Sequence, residues 1–135
     1  MTMGSKEDYK QSNEVFMAFI ADQDDVKTLE GGVMYRVLNE GNGCCTANPR
    51  SVVSCHYRGS LISGEVFDDS WERGCPEAFR VSDLIEGFQT ALCHMHKGDH
   101  WEVYIPWDKG YGKRAAGSIP AYSTLIFEIE LIQIS

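Results

Sequence analysis

The segment from Ser82 to Met95 constrains the fold more than any other part of the chain. Leu84, Ile85, Phe88, Ala91, Leu92 and Met95 recur at i, i+1, i+4, i+7, i+8 and i+11, a spacing that lines one face of a helix with apolar side chains. Ser82 stands where an N-cap side chain is wanted. It is the strongest helical signal in the sequence, and the segments around it read as strands. Its stripe must therefore bury against one face of a sheet, because nothing else is available to cover it. The fold class expected is α+β.

The strands around it follow from alternation. Val33 to Leu38 reads as a short strand running into the Glu40-Gly41-Asn42-Gly43 turn, and Ser51 to Gly59 places Val53, Cys55 and Tyr57 on one face. After a Gly98-Asp99 turn, Trp101, Val103 and Ile105 alternate with His100, Glu102 and Tyr104, and a long strand from about Leu125 to Ile134 closes the chain. At the other end, Val15, Phe16, Phe19 and Ile20 have helical spacing and predict a helix from about Glu7 to Ala21. Asp22, Asp24 and Asp25 end it, since acids oppose the dipole at a helix C-terminus. Residues 22 to 32 read as a linker. The expected division is a helical extension and linker over 1–29 and one folded domain over 30–135, with no internal repeat.

Composition excludes several functions. With 135 residues and 43% hydrophobic content, one core forms without a metal or disulfide scaffold. The net charge of -8 is spread along the chain, and such a surface repels phosphate backbones, so nucleic acid is not an expected partner. Cys44, Cys45, Cys55, Cys75 and Cys93 form an odd set without a CxxC pair, which argues against a disulfide framework. No apolar run approaches the roughly 18 residues of a membrane span, and Val15 to Ala21 follows acids rather than the basic start of a signal peptide. A cytoplasmic home is the simplest expectation, with a periplasmic or exported one if a signal was removed upstream of Met1 to Ser5.

Reactive constellations are sparse. Cys93-His94-Met95-His96 with His100 offers soft ligands, but the spacing is irregular and Cys93 falls on the buried side of the helix while His94 and His96 point elsewhere, so no metal is expected. Gly31-Gly32 and Gly41-Asn42-Gly43 are turns rather than phosphate loops, and no Ser-His-Asp arrangement has motif support. The informative run is Gly64-Glu65-Val66-Phe67-Asp68-Asp69-Ser70, which sets a ring beside a carboxylate after a glycine turn, without a nucleophile. It reads as a binding wall.

Together with Ile105-Pro106-Trp107-Asp108-Lys109-Gly110-Tyr111-Gly112 and Thr124-Leu125-Ile126-Phe127-Glu128-Ile129-Glu130-Leu131, that run resembles the FKBP-type peptidyl-prolyl isomerases over about residues 30 to 135. The resemblance implies a half-wrapped antiparallel sheet packed on one short helix, with an aromatic pocket for a proline ring between them. It implies that Tyr57, Phe67, Asp68 and Tyr111 are catalytic and that Arg73, Leu84, Ile85, Phe88, Ile119 and Phe127 bind substrate. In these roles Arg73 orients Asp68, the Ile85 N–H and Tyr111 hydroxyl hold the substrate backbone, and Asp68 faces the twisting carbonyl. Two positions depart from the family: Phe88 replaces the tryptophan floor of many members, and Glu77 replaces an aromatic wall residue. The Gly112–Pro120 loop also reads as about one residue shorter than in the human-type proteins and lacks their histidine. These departures weaken the expectation that the family's macrolide inhibitors bind tightly. The junction from Phe16 to Leu38, with Val26-Lys27-Thr28, is similar to that between the dimerising helix and the catalytic domain of the macrophage infectivity potentiator type of bacterial FKBP. So short a helix offers little area for a dimer seam, so it is expected to pack Phe16, Phe19 and Ile20 on its own domain, in a monomer.

The implied chemistry needs no cofactor. Rotation about a peptide bond faces a barrier of roughly 18–20 kcal/mol. Millisecond turnover at X-Pro bonds that exchange unassisted over tens of seconds needs roughly 10⁴-fold acceleration, or about 5.5 kcal/mol. Enclosure that favours the twisted amide supplies this without a covalent step. The expected function is isomerisation of X-Pro bonds in protein folding, on proline-containing polypeptides; the alternative is a chaperone or proline-peptide binding module that uses the same cleft with weak turnover.

Overall fold

The computed structural model describes residues 5–135, so residues 1–4 of the expected extension, including most of Met1 to Ser5, lie outside the described residues. Helix α1 spans Lys6–Ala21, with the Ser5 hydroxyl accepting the Asp8 N–H at 3.1 Å to cap it. It stops at Asp22, where the acids begin. The segment expected to be a plain linker carries strand β1 (Lys27–Thr28) and a 3-10 turn at Glu30–Gly32 before β2 (Met34–Asn39). The chain continues through β3 (Val52–Ser60), β4 (Val66–Asp69), the single-turn helix α2 (Ser70–Arg73) and β5 (Glu77–Arg80). A 3-10 turn at Val81–Asp83 leads to α3 (Glu86–Leu92), followed by β6 (His100–Ile105), a 3-10 turn at Trp107–Lys109 and β7 (Leu125–Ile134).

Helix α3 is much shorter than the apolar periodicity predicts. Ser82 caps nothing, its N–H being bound to the Pro49 carbonyl in the preceding 3-10 turn, and Leu84 and Ile85 are extended. The stripe records burial rather than helix: Leu84 and Ile85 face a cavity from outside the helix, and Met95 enters the core beyond its end. The helix ends at Cys93 because the chain must turn back through Gly98, whose φ of 92° favours glycine.

The sheet has the order β1-β2-β6-β7-β3-β4, with β5 also paired to β3 and every pairing antiparallel. One edge of β3 is shared: Val52 to Cys55 face β5, while Arg58 to Ser60 face β4. Between them Tyr57 has no strand opposite it. The buried Ser70 hydroxyl takes that place, accepting the Tyr57 N–H at 2.7 Å and donating to the Tyr57 carbonyl at 3.3 Å. Without it both backbone groups would be buried and unpaired.

Val53, Cys55 and Tyr57 of β3, Trp101, Val103 and Ile105 of β6, and Leu125, Phe127, Ile129 and Leu131 of β7 form the main core with Phe88, Ala91 and Leu92 of α3. Gly87 lets the helix approach, since a Cβ there would lie 2.4 Å from Ile105 Cγ2. The opposite face of the sheet is covered by α1. Ile20 is buried with Met34 and Tyr104, while Phe16 and Met17 pack at the edge. Full burial of a side chain such as Ile20 contributes about 1.5–3 kcal/mol, which helps to hold the helix down. Two expectations change here. Tyr104, expected to point outward with His100 and Glu102, is buried beneath α1, and Phe19, expected to pack inward, is 64% exposed alongside Val15. Asn13, Phe16, Met17 and Ile20 make the inner face at helical spacing, leaving Val15 and Phe19 on the outer one.

Helix α1 is also tied to the chain leading into β7. Buried Asn13 accepts the Thr124 N–H at 2.7 Å through Oδ1 and donates to the Tyr9 carbonyl at 2.8 Å through Nδ2. No described helix is long and apolar enough to cross a membrane.

Candidate functional site

A cavity of about 340 Å³ opens between α3, the inner face of the sheet and β4. Its walls are aromatic because four strands and a helix each point a ring to the same place: Tyr57 from β3, Phe67 from β4, Phe79 from β5, Phe88 from α3 and Phe127 from β7. Phe88 and Phe127 meet edge to face with centroids 4.9 Å apart, Phe67 meets Phe127 perpendicularly at 5.7 Å, and Tyr57 lies 6.0 Å from Phe88. Such pairs add about 0.5–1.5 kcal/mol each beyond area burial and fix the rings relative to one another. The arrangement depends on Gly59, opposite Phe127 in the β3–β7 register, because an added Cβ would sit 2.6–2.7 Å from Phe67 and Phe127 ring carbons.

The polar side is built by α2. Asp69 accepts the Glu72 N–H at 3.2 Å and starts a single turn, which Gly74 ends at φ 87°. That turn brings Arg73 back over β3. Its Nη1 donates to Asp68 Oδ1 at 2.5 Å, its Nη2 to the Tyr57 hydroxyl at 3.2 Å, and its Nε to Glu77 at 3.2 Å. The Tyr57 hydroxyl donates in turn to Asp68 Oδ2 at 2.5 Å. Burial pushes the Asp68 carboxyl up, but the hydrogen bonds from Tyr57 and Arg73 outweigh it and hold Asp68 below its ordinary value. Burial, with the hydrogen bond to Asp68, pushes the Tyr57 phenol up to about 12, so it remains a neutral donor. With both oxygens engaged, Asp68 offers the cavity a fixed negative charge rather than a proton acceptor.

At the rim, Ile85 precedes α3 with extended backbone, and its N–H meets no acceptor among the described residues. Leu84 and Ile85 line the cavity, and Tyr111, 43% exposed, stands at the mouth. Eight of the ten residues singled out in the sequence thus line one cavity: Tyr57, Phe67, Asp68, Leu84, Ile85, Phe88, Tyr111 and Phe127. Arg73 acts from behind Asp68. Ile119 does not line the cavity; it is buried in the core beneath its loop.

Phe79 and Asp83 line the cavity and were not anticipated. Phe79 lies two residues after Glu77 on the same face of β5, so it supplies a ring to the wall while Glu77 turns to Arg73. The alternation of Glu77, Ala78, Phe79 and Arg80 was the available signal. Ser70 had none, since its partner is backbone 13 residues away. The Cys93 to His100 ligands diverge: His94 pairs with Glu30, His96 lies nearest Asp99 and His100 pairs with Glu128. No cluster of three or more His, Cys, Asp or Glu side chains suited to a metal occurs among the described residues.

Comparison with known proteins agrees with this geometry. The profile of a family described as FKBP-type peptidyl-prolyl cis-trans isomerase matches residues 44–132. The FKBP-type 22 kDa peptidyl-prolyl cis-trans isomerase of Escherichia coli is 45% identical over 115 residues, covering 84% of this chain and 55% of that protein. The macrophage infectivity potentiator of Trypanosoma cruzi is 39% identical over 126 residues, covering 93% and 64%. A Legionella longbeachae protein named outer membrane protein MIP is 35% identical over 129 residues, covering 95% and 55%. The chain therefore spans somewhat more than half the length of these relatives. Among solved structures, a peptidyl-prolyl cis-trans isomerase from Pseudomonas syringae superposes with a TM-score of 0.90 at 34% identity, covering 100% of this chain and 99% of that one.

Proposed function

The chain belongs to the FKBP-type peptidyl-prolyl cis-trans isomerase family, and on that premise we propose that it catalyses rotation about X-Pro bonds in flexible or unfolded polypeptides. The observation that carries the proposal is the aromatic cavity of about 340 Å³ with the unpaired Ile85 N–H on its rim. Its volume falls within the roughly 300–1,000 Å³ of small-ligand sites.

A proline ring seated against Phe67, Phe88 and Phe127 leaves its preceding amide among rings rather than in water. A planar amide is more charge-separated than a twisted one, so this transfer raises the ground state relative to the rotating species. The Ile85 N–H holds a substrate carbonyl and the Tyr111 hydroxyl a second backbone group, so that one side of the bond is fixed while the other turns. Asp68, held in place by Arg73 and Tyr57, presents a constant field to the turning carbonyl. Ile119 supports the Tyr111 loop from beneath. No proton is transferred and no covalent bond forms.

NMR exchange spectroscopy on a short X-Pro peptide tests this with wild type, Phe67→Ala and Tyr111→Phe. We expect a loss of about 10²-fold for Phe67→Ala and a smaller one for Tyr111→Phe, in line with misplacement of a reacting group. Unchanged exchange in both variants would sink the assignment. A binding module with weak turnover would instead suppress aggregation only at equimolar protein in a proline-limited refolding assay. Because α1 uses Phe16, Met17 and Ile20 on its own domain, the protein acts as a monomer, which line widths appropriate to 15.2 kDa in the same spectra would support. The relative named outer membrane protein MIP favours an exported home over the cytoplasmic one expected from composition; a chain found only in the cytosol on fractionation of the native cells would contradict this.

A further inference from the structure

A second and larger cavity, about 640 Å³, lies between the start of α1 and the loop after Tyr111. Tyr9, Pro120 and Ala121 form its apolar wall, and Lys6, Lys113 and Arg114 supply its charge. No carboxylate lines it. Among the described residues none of these three cations has an ion-pair partner, so their charge is not neutralised within the cleft. A chain of net charge -8 thus gathers three of its twelve basic residues around one cavity.

The two cavities share no lining residue but flank one loop, with Tyr111 at the mouth of the first and Lys113 and Arg114 lining the second. Lys113 and Arg114 follow Tyr111 by two and three residues, so their backbones lie within about 10 Å of it even if the chain is fully extended. A polypeptide that leaves the aromatic pocket past Tyr111 runs along this loop. Along that exit, at about 3.3–3.6 Å per extended residue, side chains two to four residues from its proline come level with Lys113 and Arg114.

We propose that this cleft is an accessory subsite for acidic side chains flanking the proline, so that the preferred substrates are X-Pro segments with Asp or Glu two to four residues away. The choice of a polypeptide occupant rests on the isomerase reading; the anionic chemistry rests on the cleft itself. Elsewhere the negative surface repels such segments, and this cleft gives them one favourable approach.

The test uses fluorescently labelled X-Pro peptides carrying Glu-Glu three residues before or three residues after the proline, each with a Gln-Gln twin. Affinity is read by anisotropy and turnover by NMR exchange. On at least one side the Glu peptide should bind about three- to ten-fold more tightly than its twin, the scale of two exposed charge pairs. That preference should vanish between about 0.01 M and about 1 M salt, as the Debye length falls from about 30 Å to about 3 Å. It should also vanish in the Lys113→Glu/Arg114→Glu double variant, which should still turn over the Gln peptides at the wild-type rate. Equal affinity for Glu and Gln peptides on both sides, or a preference that survives the double variant, overturns the subsite. Absence of exchange on every peptide would count against the isomerase reading alone, because the affinity comparison still decides the cleft.

Discussion

Gly59→Ala probes the aromatic wall without removing any of its rings. Its Cβ would lie 2.6 Å and 2.7 Å from two Phe67 carbons and 2.7 Å from Phe127 Cε1. Carbon atoms at ease stand about 3.5–4.0 Å apart, so about 1 Å must be found. Phe127 is 4% exposed and wedged against Phe88 at 4.9 Å and Tyr57 at 6.3 Å, so it has little room. Phe67 is half-buried at the cavity and is the ring that moves. Overpacking of this kind costs about 1–3 kcal/mol. A ring displaced by about 1 Å from a reacting bond can cost up to about 10²-fold in rate. Urea unfolding followed by tryptophan fluorescence reads the first quantity, and NMR exchange on an X-Pro peptide the second. A companion variant, Gly59→Ala/Phe67→Leu, makes space for the new methyl group and should recover most of the stability while remaining slow. If Gly59→Ala lowers stability as expected yet keeps kcat/KM within about two-fold of wild type, the position of Phe67 does not limit the reaction and the account of the wall is wrong.

Two other perturbations are informative. Asn13→Ala leaves the buried Thr124 N–H without its acceptor and should destabilise the protein by about 1–3 kcal/mol in thermal or urea unfolding; a change below about 0.5 kcal/mol would mean that α1 is not held by this bond. Arg73→Ala removes one of the two side-chain hydrogen bonds that, with a backbone one from Asp69, hold Asp68 below its ordinary value, so the Asp68 carboxyl should titrate at higher pH in a ¹³C NMR titration. Because the folded pKa is depressed, the stability linked to Asp68 is present above the unfolded value of about 3.9 and is lost as pH falls through the folded one. In the variant that acid loss should be smaller and complete at a higher pH, and an unmoved Asp68 titration would show that Tyr57 and backbone contacts suffice.

The parts of the fold that could be read from sequence are those where a local pattern and the final environment agree. The Leu125–Ile134 strand alternates because one face meets α3 and its neighbours, and the wall residues Phe67 and Phe127 fall on inward positions of strands. Where the partner is distant, pattern fails. The stripe from Leu84 to Met95 satisfies helical spacing, yet Leu84 and Ile85 are buried from extended backbone, because a cavity rather than a helix face receives them. Tyr104 has the outward parity of its strand and became core only because α1 lies over that face. Phe79 was hidden by Glu77, a charged neighbour that belongs to Arg73. Ser70 and Asn13 look like ordinary polar residues; their work is to satisfy backbone groups 13 and 111 positions away, which no local window contains.

The rings that face the cavity are also rings that close the core, and this governs how such a protein can diverge. A lineage that alters Tyr57, Phe88 or Phe127 to suit a new client disturbs the packing of the whole domain in the same step, so most such variants are removed before their specificity matters. The turn from Lys113 to Ser118 carries no residue of the main core cluster. Change can accumulate there at little risk, so descendants of this protein should differ in which polypeptides they prefer through that turn, while the chemistry beneath it stays constant.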